Sequence, residues 1–553
     1  MASSSSHDHQ QATTGISSKS AATSERHGGN GSSLLWKILL VMGVIATAWL
    51  LLDTRMSLGV PSEWTWPRLM RPDGFWSLFD RLVPALFAAM AVIGVSLFVD
   101  RRMERRSILF QCGVIVALWG MAFVWQAAAR QAAPSPHREL RPLWILYDRY
   151  ATGYFWQARE IASTDKWLAE YSDRMKQGDV LHEGTHPPGL VLWNRWALNV
   201  TQNSPVMTDW LFGTASEEQL SMFREMETQA RFGKALTRSE LAALQLTVLM
   251  SFAFSALLPV VVYSLLCLTG ETHEANRESR TAWRAAVVSI AIPTLAVFSP
   301  RSDVLYATSG LILLTLMLAA VLSSRPIVRI LISVLCGVWM FGCLMFSLAH
   351  VPVLVSGLIF LVVRLLCERW VPSNTDRSVF RMAISAGVAL AAFVCCVFVF
   401  WKASQCNLAD VWIQNLRNHE AFYDQSPRTW WKWLLVNPLE LTLAVGVGLS
   451  LMGIKGVWDS IRAVVRRDFV TANVQLTLAM FLTWLMLWLS GKNMGEAARL
   501  WCFLTPWVVV ASAAAGARFS LRDRGAWLWV LAVQCIVSVL TTGLVSGYLQ
   551  LAG

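Results

Sequence analysis

The chain reads as an all-α polytopic membrane protein, with about thirteen transmembrane helices and one long external loop carrying short amphipathic helices. Three observations carry that reading. Of 553 residues, 55% are hydrophobic and only 15% charged, too little charge to cover a soluble protein of this size. The apolar residues gather in runs close to the ~20 residues that a helix needs to cross ~30 Å of hydrocarbon. The 28 tryptophans suit the preference of indole for the membrane–water interface.

Residues 1–33 are rich in Ser, Gly, His and Gln, lack apolar periodicity, and read as a disordered cytoplasmic tail. The tail is too long and too polar for the start of a signal peptide, and no A-x-A site follows the first apolar run. That run is therefore read as a retained anchor. Spans are predicted near 34–52, 83–100, 108–127, 243–268, 282–298, 304–322, 327–347, 350–366, 381–401, 437–454, 471–490, 500–517 and 526–548. The first three, within 34–127, precede a large external segment at 128–242. The remaining bundle, 243–553, contains a second external loop at 402–436, marked by Trp412, Trp430, Trp431 and Trp433 and read as an interfacial amphipathic segment.

Basic clusters set the orientation. Arg101 to Arg106, Arg325 with Arg329, Arg364 to Arg381, Arg462 to Arg467 and Arg518 to Arg524 fall in alternate loops, all cytoplasmic if the N-terminus is inside. The net charge of +11 is then a topological signal and gives no reason to expect nucleic acid as a partner. The ten cysteines lie mostly in apolar runs, Cys406 being the clearest loop exception, and no C-x-x-C pair suggests a redox or metal site. The suggestive polar groups, Asp148, His182, His186, Asp303, Glu496 and Arg499, all fall in external segments.

The stretch LHEGTHPPGLVLW (181–193) contains H-E-x-x-H, the zinc-protease pattern. A zincin needs both histidines on one face of a continuous helix. Pro187 and Pro188 oppose that, because in a running helix each costs roughly 3 kcal/mol or more. A helix starting near Thr185 places the prolines in a first turn, where they are tolerated. His186 is then a helix-start residue, and His182 and Glu183 are weaker candidates.

Three segments together resemble GT-C-type glycosyltransferases, polytopic enzymes that take a sugar from a polyprenyl-phosphate donor at the outer face. YDRYATGYFWQAREI (147–161) is similar to their Asp-plus-aromatic loop motif, THPPGLVLW (185–193) to their His-Pro-Pro, and GEAARLWCFLTPW (495–507) to a Gly-Glu-x-x-Arg segment before a late span. The resemblance is to the superfamily of the protein O-mannosyltransferases and the lipid A aminoarabinose transferase. Here the loop follows the third predicted span where theirs follows the first, and Asp148 stands without the Glu that accompanies it in them.

The resemblance implies an inverting transfer, with a polyprenyl-phosphate-linked sugar as donor, an unspecified acceptor, and a bacterial plasma membrane as location. It implies no resident organic cofactor and leaves open whether a divalent metal takes part. Asp148 is the candidate base, removing the acceptor's proton, and also reads as a solvated loop carboxylate. Tyr150, Tyr154, Phe155 and Trp156 are candidates to stack on a sugar. His186 is a candidate hydrogen-bond donor. Asp303 reads either as a substrate ligand or as an anion placed at a helix N-terminus. Glu496 and Arg499, three apart, read as a salt bridge or, for Arg499, as the partner of the departing phosphate, with Lys492 as a weaker second cation. The alternative class is a transporter or lipid flippase; the absence of a clear repeat and the gathering of polar residues at one surface favour the enzyme.

Overall fold

The computed structural model describes residues 18–52, 58–67, 75–103, 107–135, 137–177, 183–229, 234–270, 275–368, 375–467, 471–516 and 519–548. Among these the chain is helical almost throughout, with one two-stranded antiparallel pair, Gly59–Val60 and Trp64–Thr65. It is an integral membrane protein by its helices: ten are long and apolar enough to cross a bilayer, or eleven if one bent pair is a single span.

The ten match ten of the predicted runs; the other three are apolar but broken. Residues 437–454 fall in the bent pair, where Trp430–Val445 and Val447–Arg466 meet at 114°. Residues 282–298 divide into a helix ending at Ser289 and a short one, Pro293–Val297. Residues 500–517 divide into Ala497–Leu500, a 3-10 turn Cys502–Leu504, and Thr505–Ala513. Hydrophobicity reports burial, whereas Pro293, Pro506 and Gly446 set continuity. The first helix, Ser18–Leu52, also begins inside the segment read as a disordered tail, since extending a nucleated helix needs little per residue. Residues 1–17 lie outside the described residues.

The break at Gly446 (φ +94) frees backbone groups that a bilayer core cannot hydrate. Gln534, fully buried, satisfies them. Its amide nitrogen donates to Val445 O at 2.5 Å and Ala291 O at 3.2 Å, and its oxygen accepts from Leu449 N at 3.3 Å. A Cβ at position 446 would overlap that amide.

The loops gather at two ends. At the end carrying the basic clusters, Arg284 donates from Nε and Nη2 to the two oxygens of Asp100 at 2.7 and 3.0 Å, and from Nη1 to Leu521 O and Arg522 O. Both side chains are buried, and every nitrogen of the guanidinium is engaged. At the other end, residues 137–228 form a cap of short helices with an apolar core around Phe155, Trp156, Tyr171 and Phe223. Capping boxes at Ser216–Gln219 and Thr237–Glu240 fix the starts of its last helix and of the span that follows.

Removing one partner of a buried, fully bonded pair leaves an uncompensated charge, which costs about 3–5 kcal/mol. Asp100→Ala is therefore expected to lower the thermal inactivation midpoint in detergent markedly. An unchanged midpoint would show that the pair does not hold the basic end together.

Candidate functional site

A cavity of about 270 Å³ lies at the capped end, near the lower bound of the ~300–1,000 Å³ usual for ligand sites. Tyr154, His186, Asp303, Glu496 and Arg499 all line it, with Trp64, Tyr150, Arg301, His419, Phe422, Tyr423 and Arg428. It thus joins the two short turns around 301 and 496 to the long loop. Lys492 is exposed and is not among the lining residues.

Local structure places each group. Asp303 stands in the first turn of Ser302–Leu322, with Arg301 as its N-cap. Glu496 adopts a left-handed backbone (φ +52), in a loop where Gly491, Asn493 and Gly495 are also at positive φ. Such strain persists only where surroundings over-determine it. Here Tyr423 OH accepts from Met494 N, Asn437 donates to Asn493 O, and Thr294 donates to Ala498 O. Arg499 Nη2 donates to Glu496 Oε2 at 2.6 Å, both side chains largely buried.

The charges act on one another. Burial and the neighbouring Arg499 hold the Arg301 guanidinium down to about 10, still cationic at neutral pH. For Arg499 the lowering effect of burial is outweighed by Glu496 and Asp303, so it lies above its ordinary value. Burial, with Tyr306 and Asp303 nearby, pushes the Tyr154 hydroxyl well up and keeps it neutral.

Asp148 is a correction. It is not among the lining residues; its Oδ1 accepts from the N–H of Tyr150, two residues on, at 2.8 Å. It thereby shapes the turn that leads through left-handed Gly153 into Tyr154–Glu160. Tyr154 and exposed Tyr150 reach the cavity, but Phe155 and Trp156 are buried in the cap, Trp156 donating to Tyr147 O.

The helix after the His-Pro-Pro also differs from expectation. Glu183–Thr185 is a 3-10 turn and the α-helix begins at Gly189, with Pro188 as N-cap. His182 is outside the described residues, and His186 lies before the helix. Its ring meets Tyr154 edge-on at 5.4 Å, and Nδ1 is 3.2 Å from Thr185 Oγ1. Among the described residues, no three His, Cys, Asp or Glu side chains converge in a metal-binding arrangement. In the Trp-rich loop, Trp430 and Trp431 are exposed, while Trp433 is buried and Trp412 donates to Leu344 O.

Two contributors escaped sequence reasoning. The turn 60–64 between the first two spans inserts Glu63 against the start of Trp430–Val445. There it accepts from Thr429 N at 2.9 Å, Lys432 Nζ at 3.0 Å and Trp433 Nε1 at 2.8 Å, while Arg428 donates to its carbonyl. That anchor holds Trp64 at the cavity wall. Buried Glu440 accepts from Ala498 N at 3.2 Å and from Trp66, supporting the Glu496–Arg499 segment from beneath. A lone carboxylate in an apolar run was the signal available for it.

No protein-family model and no curated protein matches the chain.

Burial alone would raise the Glu63 carboxyl, but Thr429, Lys432 and Trp433 outweigh it and hold it down at about 2. A carboxyl lowered on folding stabilises above its unfolded value of 4.5, and the contribution is lost as pH falls through about 2. Glu63→Gln is thus expected to be less stable than wild type at neutral pH, with the gap closing between pH 4.5 and 2. A gap independent of pH in acid denaturation would contradict this.

Proposed function

We propose that the chain is an integral-membrane glycosyltransferase that moves a sugar from a polyprenyl-phosphate donor to an acceptor hydroxyl or amine. The reaction is assigned to the non-cytoplasmic face of a bacterial plasma membrane. The observation that carries the reading is one cavity lined by three arginines, of which Arg301 and Arg499 act on one another and on the carboxylate of Asp303. Two cations that repel one another in a buried site gain from a phosphate between them, and a nearby carboxylate supplies the base.

In this reading the acceptor's oxygen or nitrogen bonds to the anomeric carbon as the bond from that carbon to the phosphate oxygen breaks. The electron pair stays on the phosphate, configuration inverts, and the acceptor's proton passes to Asp303, which takes the role first given to Asp148. Arg301 and Arg499 stabilise charge building on the phosphate, and Glu496 orients Arg499. Tyr154, as a neutral phenol, and His186 hydrogen-bond the sugar. An apolar groove of about 400 Å³, walled by Leu441, Ile454, Met480, Trp484, Leu504 and Trp507, supports a lipid-borne donor. Leu504 lies four residues past Leu500, which lines the charged cavity.

A second reading, a lipid transporter, draws support from the span broken by 114° at Gly446. Movement of labelled lipid across vesicles without sugar release would favour it.

With labelled polyprenyl-phosphate sugars and purified membranes, Asp303→Asn is expected to lower transfer by about 10²–10⁴-fold without loss of protein. Asp148→Asn is expected to retain most activity. Arg499→Ala is expected to raise the KM for donor more than that for acceptor. Wild-type turnover in Asp303→Asn would remove the assigned base.

A further inference from the structure

The His-Pro-Pro sequence creates a deficit around His186. In a helix or 3-10 turn, a carbonyl accepts from the N–H three or four residues on. For Gly184 both of those residues are prolines, Pro187 and Pro188, and for Thr185 one is. Proline has no N–H, so the carbonyls leading into His186 need donors from elsewhere.

Three side chains donate into this turn, one to each of the consecutive carbonyls of Gly184, Thr185 and His186. Asn418 Nδ2 donates to Gly184 O at 2.6 Å and to Met175 O at 2.9 Å. Asn415 Nδ2 donates to Thr185 O at 2.5 Å. Tyr171 OH donates to His186 O at 2.7 Å. All three side chains are buried, where a hydrogen bond is electrostatically strongest and its loss most felt. Asn415, Asn418 and Phe422 fall on one stripe of helix Leu408–Gln425, with His419 beside them. His419 and Phe422 line the cavity. One helix therefore forms a cavity wall and grips the loop that brings His186 to the opposite wall.

We infer that Asn415, Asn418 and Tyr171 are positioning residues that fix His186 in the cavity by capturing three consecutive carbonyls, Gly184 to His186, at a turn where Pro187 and Pro188 remove both local donors of the first and one of the second. What His186 does there rests on the glycosyl-transfer reading; that it is held there does not.

The test is the rate at which diethyl pyrocarbonate modifies His186 in the full chain in detergent, read by peptide mass spectrometry. In Asn415→Ala, Asn418→Ala and Tyr171→Phe, His186 is expected to react about 5–10-fold faster, the change in population that losing one net hydrogen bond brings. His350, 1% exposed where it packs edge-on against Tyr306, reports loosening beyond the loop itself and is expected to stay protected. Tyr171→Phe removes one hydroxyl and keeps the ring against Trp167, so it carries the test if the alanine variants do not fold.

An unchanged His186 rate in a folded variant overturns the inference, as does His350 reacting in step with His186. In membranes, Tyr171→Phe is expected to slow sugar transfer in the wild-type background but not further in His186→Ala. Additive losses would overturn the link to His186. If wild-type membranes transfer no sugar, the reaction reading fails while the modification rates still decide the clamp.

Discussion

Charge inside an apolar bundle must be answered by opposite charge or by a ligand, and that constraint organises both ends of this molecule. At the basic end the answer is complete. Asp100 and two carbonyls engage every nitrogen of the Arg284 guanidinium, and the pair is buried. At the capped end three guanidiniums and two carboxylates border an open cavity, and Arg301 is weakened in part by its neighbour Arg499. A closed cluster is a staple; an open one with crowded like charges suits an anionic substrate.

Broken helices deliver these groups. Irregular backbone inside a membrane protein survives where it is satisfied by protein or lines a cavity. The segment from Pro293 to Asp303 and the segment from Gly491 to Leu504 are both of this kind, and Thr294, Asn437 and Glu440 bond across to hold them. The turn around Glu63 and the helix Leu408–Gln425 then close the sides. The cavity is thus built by these four stretches and by the cap that carries Tyr154 and His186, all far apart in sequence and held by side-chain bonds to carbonyls or N–H groups that regular structure leaves free.

This explains what could be read from the sequence. Ten spans were legible because hydrophobic run length is a local property, and so was the gathering of Tyr154, His186, Asp303, Glu496 and Arg499, because alternating basic loops assign ends. The three broken spans were misread because apolar character says nothing about continuity at Gly446 or Pro293. The position of Asp148 was not legible, because the letters of a catalytic loop and of an Asp-capped turn are the same; the structure leaves it out of the cavity lining, with its Oδ1 on the N–H of Tyr150. Glu63, Glu440, Asn415 and Asn418 were not legible as site residues, since their partners lie tens to hundreds of positions away.

The central claim is that Arg301 and Arg499 receive a lipid-linked phosphate in the cavity. An electron cryomicroscopy map of the protein in lipid nanodiscs with polyprenyl monophosphate addresses it most directly. The account predicts phosphate density between Arg301 and Arg499, with the chain leading toward the groove beside Leu504 and Trp507. Phosphate bound elsewhere, or an empty cavity at saturating lipid, would contradict it.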